Sequence, residues 1–124
     1  MKLMESGEMY LETMLLLKNK YGYVRATDIA YEMNYSKPSV SRAVSILKRD
    51  GYIINDEHGM IILTDKGLAI AEKIYDRHQT LTKYLISLGI SEETAQNDAC
   101  RIEHIISQES FDRIKEALKK SGED

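Results

Sequence analysis

The stretch "DACRIEHIIS", residues 98–107, holds the only cysteine of the chain, Cys100, followed three positions on by Glu103 and then by His104. Thiolate sulfur, carboxylate oxygen and imidazole nitrogen are all ligands for divalent transition metals. At spacings i, i+3 and i+4 on a helix, the three side chains point the same way. Met9 and Glu12 repeat the i, i+3 spacing near the N-terminus, and His78 falls on a stripe with Leu81 and Leu85 that is read as core. Three helices can thus direct these six ligand-type side chains at one point.

Each residue also has a plainer reading. Methionine more often fills core than binds metal, and a lone buried histidine is usually just hydrogen-bonded. Glu103 suits a solvated charge or an ion pair with Arg101, and Cys100 a small buried hydrophobe. A cysteine–histidine nucleophile is a further chemistry, since imidazolium activates thiols. Nothing in the sequence suggests an oxyanion hole, a third triad member or a substrate pocket, so the chain is read as a non-enzyme with no small organic substrate.

The elements that must position these residues are mostly helical. Residues 8–21, "EMYLETMLLLKNKY", read as a helix stopped by Gly22. A short helix starts at Ala26 or Thr27 and buries Ile29, Ala30 and Met33. Ser36 caps the next helix, with Pro38 in its first turn, where a missing N–H is harmless. That helix turns Val40, Val44 and Leu47 inward and ends at Gly51. "YIIN" and "MIIL" around "DEHG" read as a hairpin. Helix, helix, turn, helix, hairpin is the order of a winged helix-turn-helix, whose last helix enters the DNA major groove. A long helix from about residue 66 follows, with Leu68, Ala71, Ile74, His78, Leu81 and Leu85 along one stripe. Two further helices complete the chain, the first capped by Ser91. The fold class is therefore mainly α. A winged helix-turn-helix domain spans residues 1–70, and an all-helical domain spans 71–124.

Composition agrees with a globular protein: 43% hydrophobic and 30% charged residues. No apolar run nears the length of a membrane span, and "MKLMESGEMY" has no signal-peptide core, so a cytoplasmic protein with no membrane partner is expected. The net charge is −3, yet residues 35–50 carry Lys37, Arg42, Lys48 and Arg49 against only Asp50. A local basic patch suffices for the phosphate contacts that dominate DNA affinity.

Four segments, "GEMYLETMLLL", "TDIAYEMNYSKPSVSRAVSILKRDGYI", "ILTDKGLAIAEKIYDRH" and "NDACRIEHIIS", resemble in that order the diphtheria toxin repressor family of metal-dependent transcriptional regulators. The resemblance spans nearly the whole chain and implies a homodimeric repressor, with residues 71–124 as its dimerisation and metal-binding domain, that binds palindromic operator DNA and controls metal homeostasis genes. The family's primary site uses a methionine of the first helix with the C-x-x-E-H residues, which here match Met9, Cys100, Glu103 and His104. The manganese branch has aspartate and glutamate in place of that methionine and cysteine. It adds a glutamate and a histidine that match Glu12 and His78. The chain is a hybrid of the two branches. It carries Thr82 and Gln96 where the iron branch has ancillary ligands, and, with Asp124 its last residue, a two-domain form without the third, SH3-like domain is expected. The resemblance leaves room for a second ion held by His78 and Glu12. The donor set implies Fe(II), then Mn(II), with Co, Ni or Zn able to substitute in vitro.

On the DNA side, Lys37, Pro38, Ser39, Ser41 and Arg42 open the recognition helix, where base edges are reached. Arg42 is the candidate for a guanine, because its fork matches O6 and N7. At least one of Ser39 and Ser41 is expected to meet only phosphate, and Lys48 and Arg49 to stay with the backbone. A winged-helix regulator without metal control, sensing redox through Cys100, is the alternative reading.

Overall fold

Glu5 and Glu8 place negative charge in the first turn of α1 (Glu5–Tyr21), where the helix dipole favours it. The helix starts three residues earlier than the apolar repeat predicts, because Glu5, Ser6 and Gly7 carry no such repeat. The computed structural model describes residues 3–122. The chain divides into two units, Met1–Glu72 and Lys73–Asp124.

In the N-terminal unit, α1 buries Leu11, Met14, Leu15 and Leu17. α2 (Ala26–Met33) adds Ile29 and Ala30, and α3 (Lys37–Arg49) adds Val40 and Leu47. Full burial of such a side chain is worth about 1.5–3 kcal/mol. Met33 and Val44, expected inside, are only half-buried. The turn from α2 to α3 passes through Asn34, whose φ of 57° is the left-handed conformation that asparagine tolerates. Ser36 then caps α3, its Oγ accepting the Ser39 N–H at 3.3 Å.

The hairpin pairs β1 (Ile53–Asn55) with β2 (Ile61–Leu63), antiparallel, with Ile54 opposite Ile62. At its tip Asp56 Oδ1 accepts the N–H groups of His58 (2.8 Å) and Met60 (2.9 Å). At its base the Ile61 N–H donates to the Val24 carbonyl at 2.8 Å, joining β2 to the loop before α2. Thr64 Oγ1 donates to the Gly51 carbonyl and accepts the Gly67 N–H, so one hydroxyl opens α4 (Asp65–Ser87) against the end of α3. Gly67 is required there: a Cβ would collide with the Tyr52 carbonyl.

The boundary between the units falls within α4. In the C-terminal unit α4 continues to Ser87 and is followed by α5 (Glu92–Ile102) and α6 (Gln108–Lys120). Ser91 and Ser107 cap α5 and α6 by accepting the N–H groups of Thr94 and Ser110. Buried side chains are Ile74, Leu81, Ala95, Ala99, Phe111 and Leu118. Lys115 on α6 pairs with Asp76 on α4 at 2.9 Å.

Candidate metal centre and DNA-reading face

α5 does not run through the C-x-x-E-H residues as the i, i+3, i+4 spacing predicts. It ends at Ile102, and Glu103 is its C-cap, with φ −57° and ψ −26°. Glu103 still donates its N–H to the Ala99 carbonyl at 2.9 Å, so its backbone keeps helical bonding. His104 lies in the turn beyond. Cys100 sits in the last turn of α5, half-buried.

The reason for the turn comes from α4. Arg77 is a buried arginine whose Nη1 donates to the carbonyls of Glu103 (3.1 Å) and Ile106 (3.0 Å). Its Nη2 donates to Gln108 Oε1 at 3.1 Å, and its guanidinium lies over the Phe111 ring. The last carbonyls of a helix lack intrahelical partners; Arg77 supplies a donor to the C-cap carbonyl, Glu103, and another to Ile106 in the turn beyond. Sequence reading missed this residue. The signal was available, because Ile74, Arg77 and Leu81 are spaced i, i+3, i+7 and all three are buried. A charge within an apolar stripe points to a fixed partner.

His78 lies one position around the helix from that stripe. It is not a core residue: its side chain is 27% exposed. Its Nδ1 is 3.0 Å from Glu103 Oε2. Glu103 is fully buried, and its other oxygen, Oε1, makes no hydrogen bond among the described residues. His104 Nε2 stands 3.4 Å from that oxygen, with the imidazole buried. A buried carboxylate oxygen without a donor carries an uncompensated desolvation cost. A divalent cation offsets that cost, and carboxylate oxygen with imidazole nitrogen is the donor chemistry that such ions take. The residues present therefore fit a metal ion.

The structure thus brings His78, Glu103 and His104 together within the C-terminal unit. Met9 and Glu12 stand one turn apart on α1 in the N-terminal unit, Met9 half-buried and Glu12 buried.

The candidate DNA-reading residues lie in the N-terminal unit. Lys37, Pro38, Ser41 and Arg42 are exposed on the first two turns of α3. Ser39 is half-buried, and its Oγ accepts a hydrogen bond from Ser36 Oγ at 2.9 Å, so it also takes part in the cap. Lys48 is exposed. Arg49 pairs through Nε with Asp50 Oδ1 at 3.0 Å, which holds the Asp50 carboxyl below its usual range. Arg25 does the same to Asp28 across the first turn of α2.

Comparison with known proteins gives one consistent answer. Residues 2–59 match the family described as "Iron dependent repressor, N-terminal DNA binding domain". Residues 64–124 match "Iron dependent repressor, metal binding and dimerisation domain". The chain is 35% identical over 119 residues to the HTH-type transcriptional regulator MntR of Bacillus subtilis (strain 168), covering 96% of this chain and 84% of that one. Among solved structures it resembles the metal-dependent transcriptional regulator MtsR, with TM-score 0.84 and 26% identity over 91% of this chain. The manganese regulator SloR gives TM-score 0.81 and 25% identity over 91% of this chain. The chain spans about half the length of these two structures, 53% of each.

Proposed function

From the premise that the chain belongs to the iron-dependent repressor family, and is a metal-dependent transcriptional repressor rather than an enzyme, we propose that it represses metal homeostasis genes by binding a palindromic operator as a homodimer when loaded with Fe(II) or Mn(II). The observation that carries the metal reading is the buried Glu103 carboxylate, flanked by His78 and His104, with one oxygen lacking a hydrogen-bond donor among the described residues. Met9, Glu12, His78, Cys100, Glu103 and His104 are the proposed ligands. When bound, the ion supplies a common coordination point and neutralises buried carboxylate charge.

These residues do the rest. Met9 and Glu12 come from the winged-helix domain, residues 1–70, and the other four from the helical domain, residues 71–124. Ligands drawn from both domains commit α1 to one conformation and set the distance between the two recognition helices of a dimer. A palindrome places its half-sites about one DNA turn apart, and that distance must be matched. Differential affinity between conformations limits the coupling, about 1–3 kcal/mol in typical cases. Lys37, Pro38, Ser39, Ser41, Arg42, Lys48 and Arg49 form the proposed DNA contact surface, with Arg42 reading a base.

Two donors, Met9 Sδ and Cys100 Sγ, are soft and favour Fe(II) over Mn(II), the lowest in the Irving–Williams order. Glu12 and His78 favour Mn(II), the metal named for the related SloR. The test is an anaerobic titration of the apo-protein with Fe(II), Mn(II) and Zn(II), read as stoichiometry per chain and as operator affinity. Binding that persists in chelator would instead indicate a regulator without metal control, for example one acting through redox at Cys100.

A further inference from the structure

We propose that Arg77 is a positioning residue for the metal ligands Glu103 and His104, acting on their backbone rather than on the ion. The inference rests on the metal-site reading above. Arg77 projects from α4 into the turn that ends α5, where Nη1 takes the carbonyls of Glu103 and Ile106. Nη2 reaches Gln108 Oε1 at the start of α6, and the guanidinium covers the Phe111 ring. The turn is thus gripped at both ends by one planar group. Its neighbour His78 holds the Glu103 side chain at Oε2. Two consecutive residues of α4 therefore fix Glu103, one by its carbonyl and one by its carboxylate.

The geometry explains why the site needs an arginine. His104 lies outside regular helix, so the helical ladder does not set the direction of its imidazole. A guanidinium presents a rigid fork of donors that can bond two carbonyls and an amide oxygen at once. A lysine, with a single compact head, cannot span all three. Groups that orient ligands without touching the metal typically contribute 10–100-fold in metal affinity.

The experiment uses the full chain and Co(II), without DNA. Arg77→Met is expected to stay folded and to lose at least about 10-fold in Co(II) affinity, with altered intensity of the cobalt d–d bands, because the ligands no longer converge as they did. Arg77→Lys should recover part of the loss. Asp76→Ala removes a different polar tie between α4 and α6, to Lys115, and should bind Co(II) like wild type. Wild-type affinity and spectrum in Arg77→Met overturn the proposal, as does an equal loss in Asp76→Ala. If Arg77→Met fails to fold, Arg77→Lys is read instead: a several-fold loss supports the role and wild-type affinity overturns it. Glu103→Ala tests the underlying site. Wild-type Co(II) affinity in that variant removes the site and the role of Arg77 together. Lost affinity there, beside wild-type affinity in Arg77→Met, removes only the role of Arg77.

Discussion

His78 Nδ1 lies 3.0 Å from Glu103 Oε2, across 25 residues of sequence. The contact leaves Oε1 of the same carboxylate, 3.4 Å from His104 Nε2, as the oxygen without a hydrogen-bond donor among the described residues. One buried carboxylate thus joins a histidine of α4 to a histidine of the turn after α5.

Glu103→Ala and His104→Ala should each leave a folded dimer that no longer gains operator affinity when metal is added. Both are proposed ligands and not part of the apolar packing. Gel-shift titrations with and without metal, beside light scattering for the dimer, check this. A variant that responds fully to metal removes its residue from the site.

Arg42→Ala should weaken specific DNA binding by about 1–3 kcal/mol and relax preference at one base position per half-site. Lys48→Ala should weaken binding evenly across sequences and lower the salt slope. Affinity measured on a set of single-base operator variants at two salt concentrations separates the two outcomes. Identical behaviour would place the recognition surface elsewhere.

Met9→Asp combined with Cys100→Glu replaces both soft donors with carboxylates. Mn(II)-dependent DNA binding should rise relative to Fe(II)-dependent binding. The readout is operator affinity against free metal under anaerobic conditions. If the wild-type protein already responds to Mn(II) at lower free concentration than to Fe(II), donor softness does not set selectivity, and Glu12 and His78 dominate.

At the hairpin tip, the Met60 N–H is the main cause holding the Asp56 carboxyl below its ordinary value, with the His58 N–H adding to it. A depressed carboxylate pKa stabilises the folded form above the ordinary value, about 3.9. That contribution is lost as pH falls through the lower, folded value. The amides of His58 and Met60 should therefore keep their protection from hydrogen exchange at pH 5 and lose it, relative to the rest of the hairpin, only as pH drops below about 4. Asp56→Ala should show the unprotected pattern at every pH. Unchanged protection in Asp56→Ala would contradict the two hydrogen bonds.

Gly67→Ala should destabilise the N-terminal unit by about 1–3 kcal/mol, the usual cost of forcing atoms into filled space, because its Cβ meets the Tyr52 carbonyl. Denaturant melts of the full chain give the difference. Wild-type stability would mean that α4 shifts away from Tyr52 at little cost.

Local signals made much of this legible from the sequence. Ser36, Ser91 and Ser107 each cap a helix, and the first two were identifiable because a cap needs only the residues that follow it. The hairpin was readable from two β-rich runs around a glycine turn. What escaped depended on distant partners. α5 stops at Ile102 where Arg77, 26 residues upstream of Glu103, takes the Glu103 carbonyl, and no pattern within α5 announces that. The half-exposure of His78 escaped for a similar reason: an inward stripe through Ile74, Arg77 and Leu81 displaces it by one position, and the charge of Arg77 hid the stripe. The part played by Ser39 in its own helix cap was also missed, because a serine at the start of a recognition helix reads as a DNA contact.

The Ile61-to-Val24 hydrogen bond has a consequence for how this wing can vary. Strands of three residues are marginal alone in water, so this hairpin depends on its root, where the backbone of β2 is tied to the loop before α2. The tip, residues 56–60, contributes little to that anchorage. Chain length and side chains can therefore change at the tip without loosening the helices, as exposed loop tips generally permit. The wing separates a fixed attachment from a replaceable end, so the reach of the domain along DNA can be retuned by insertion or exchange at Glu57 and His58 while the recognition helix stays in place.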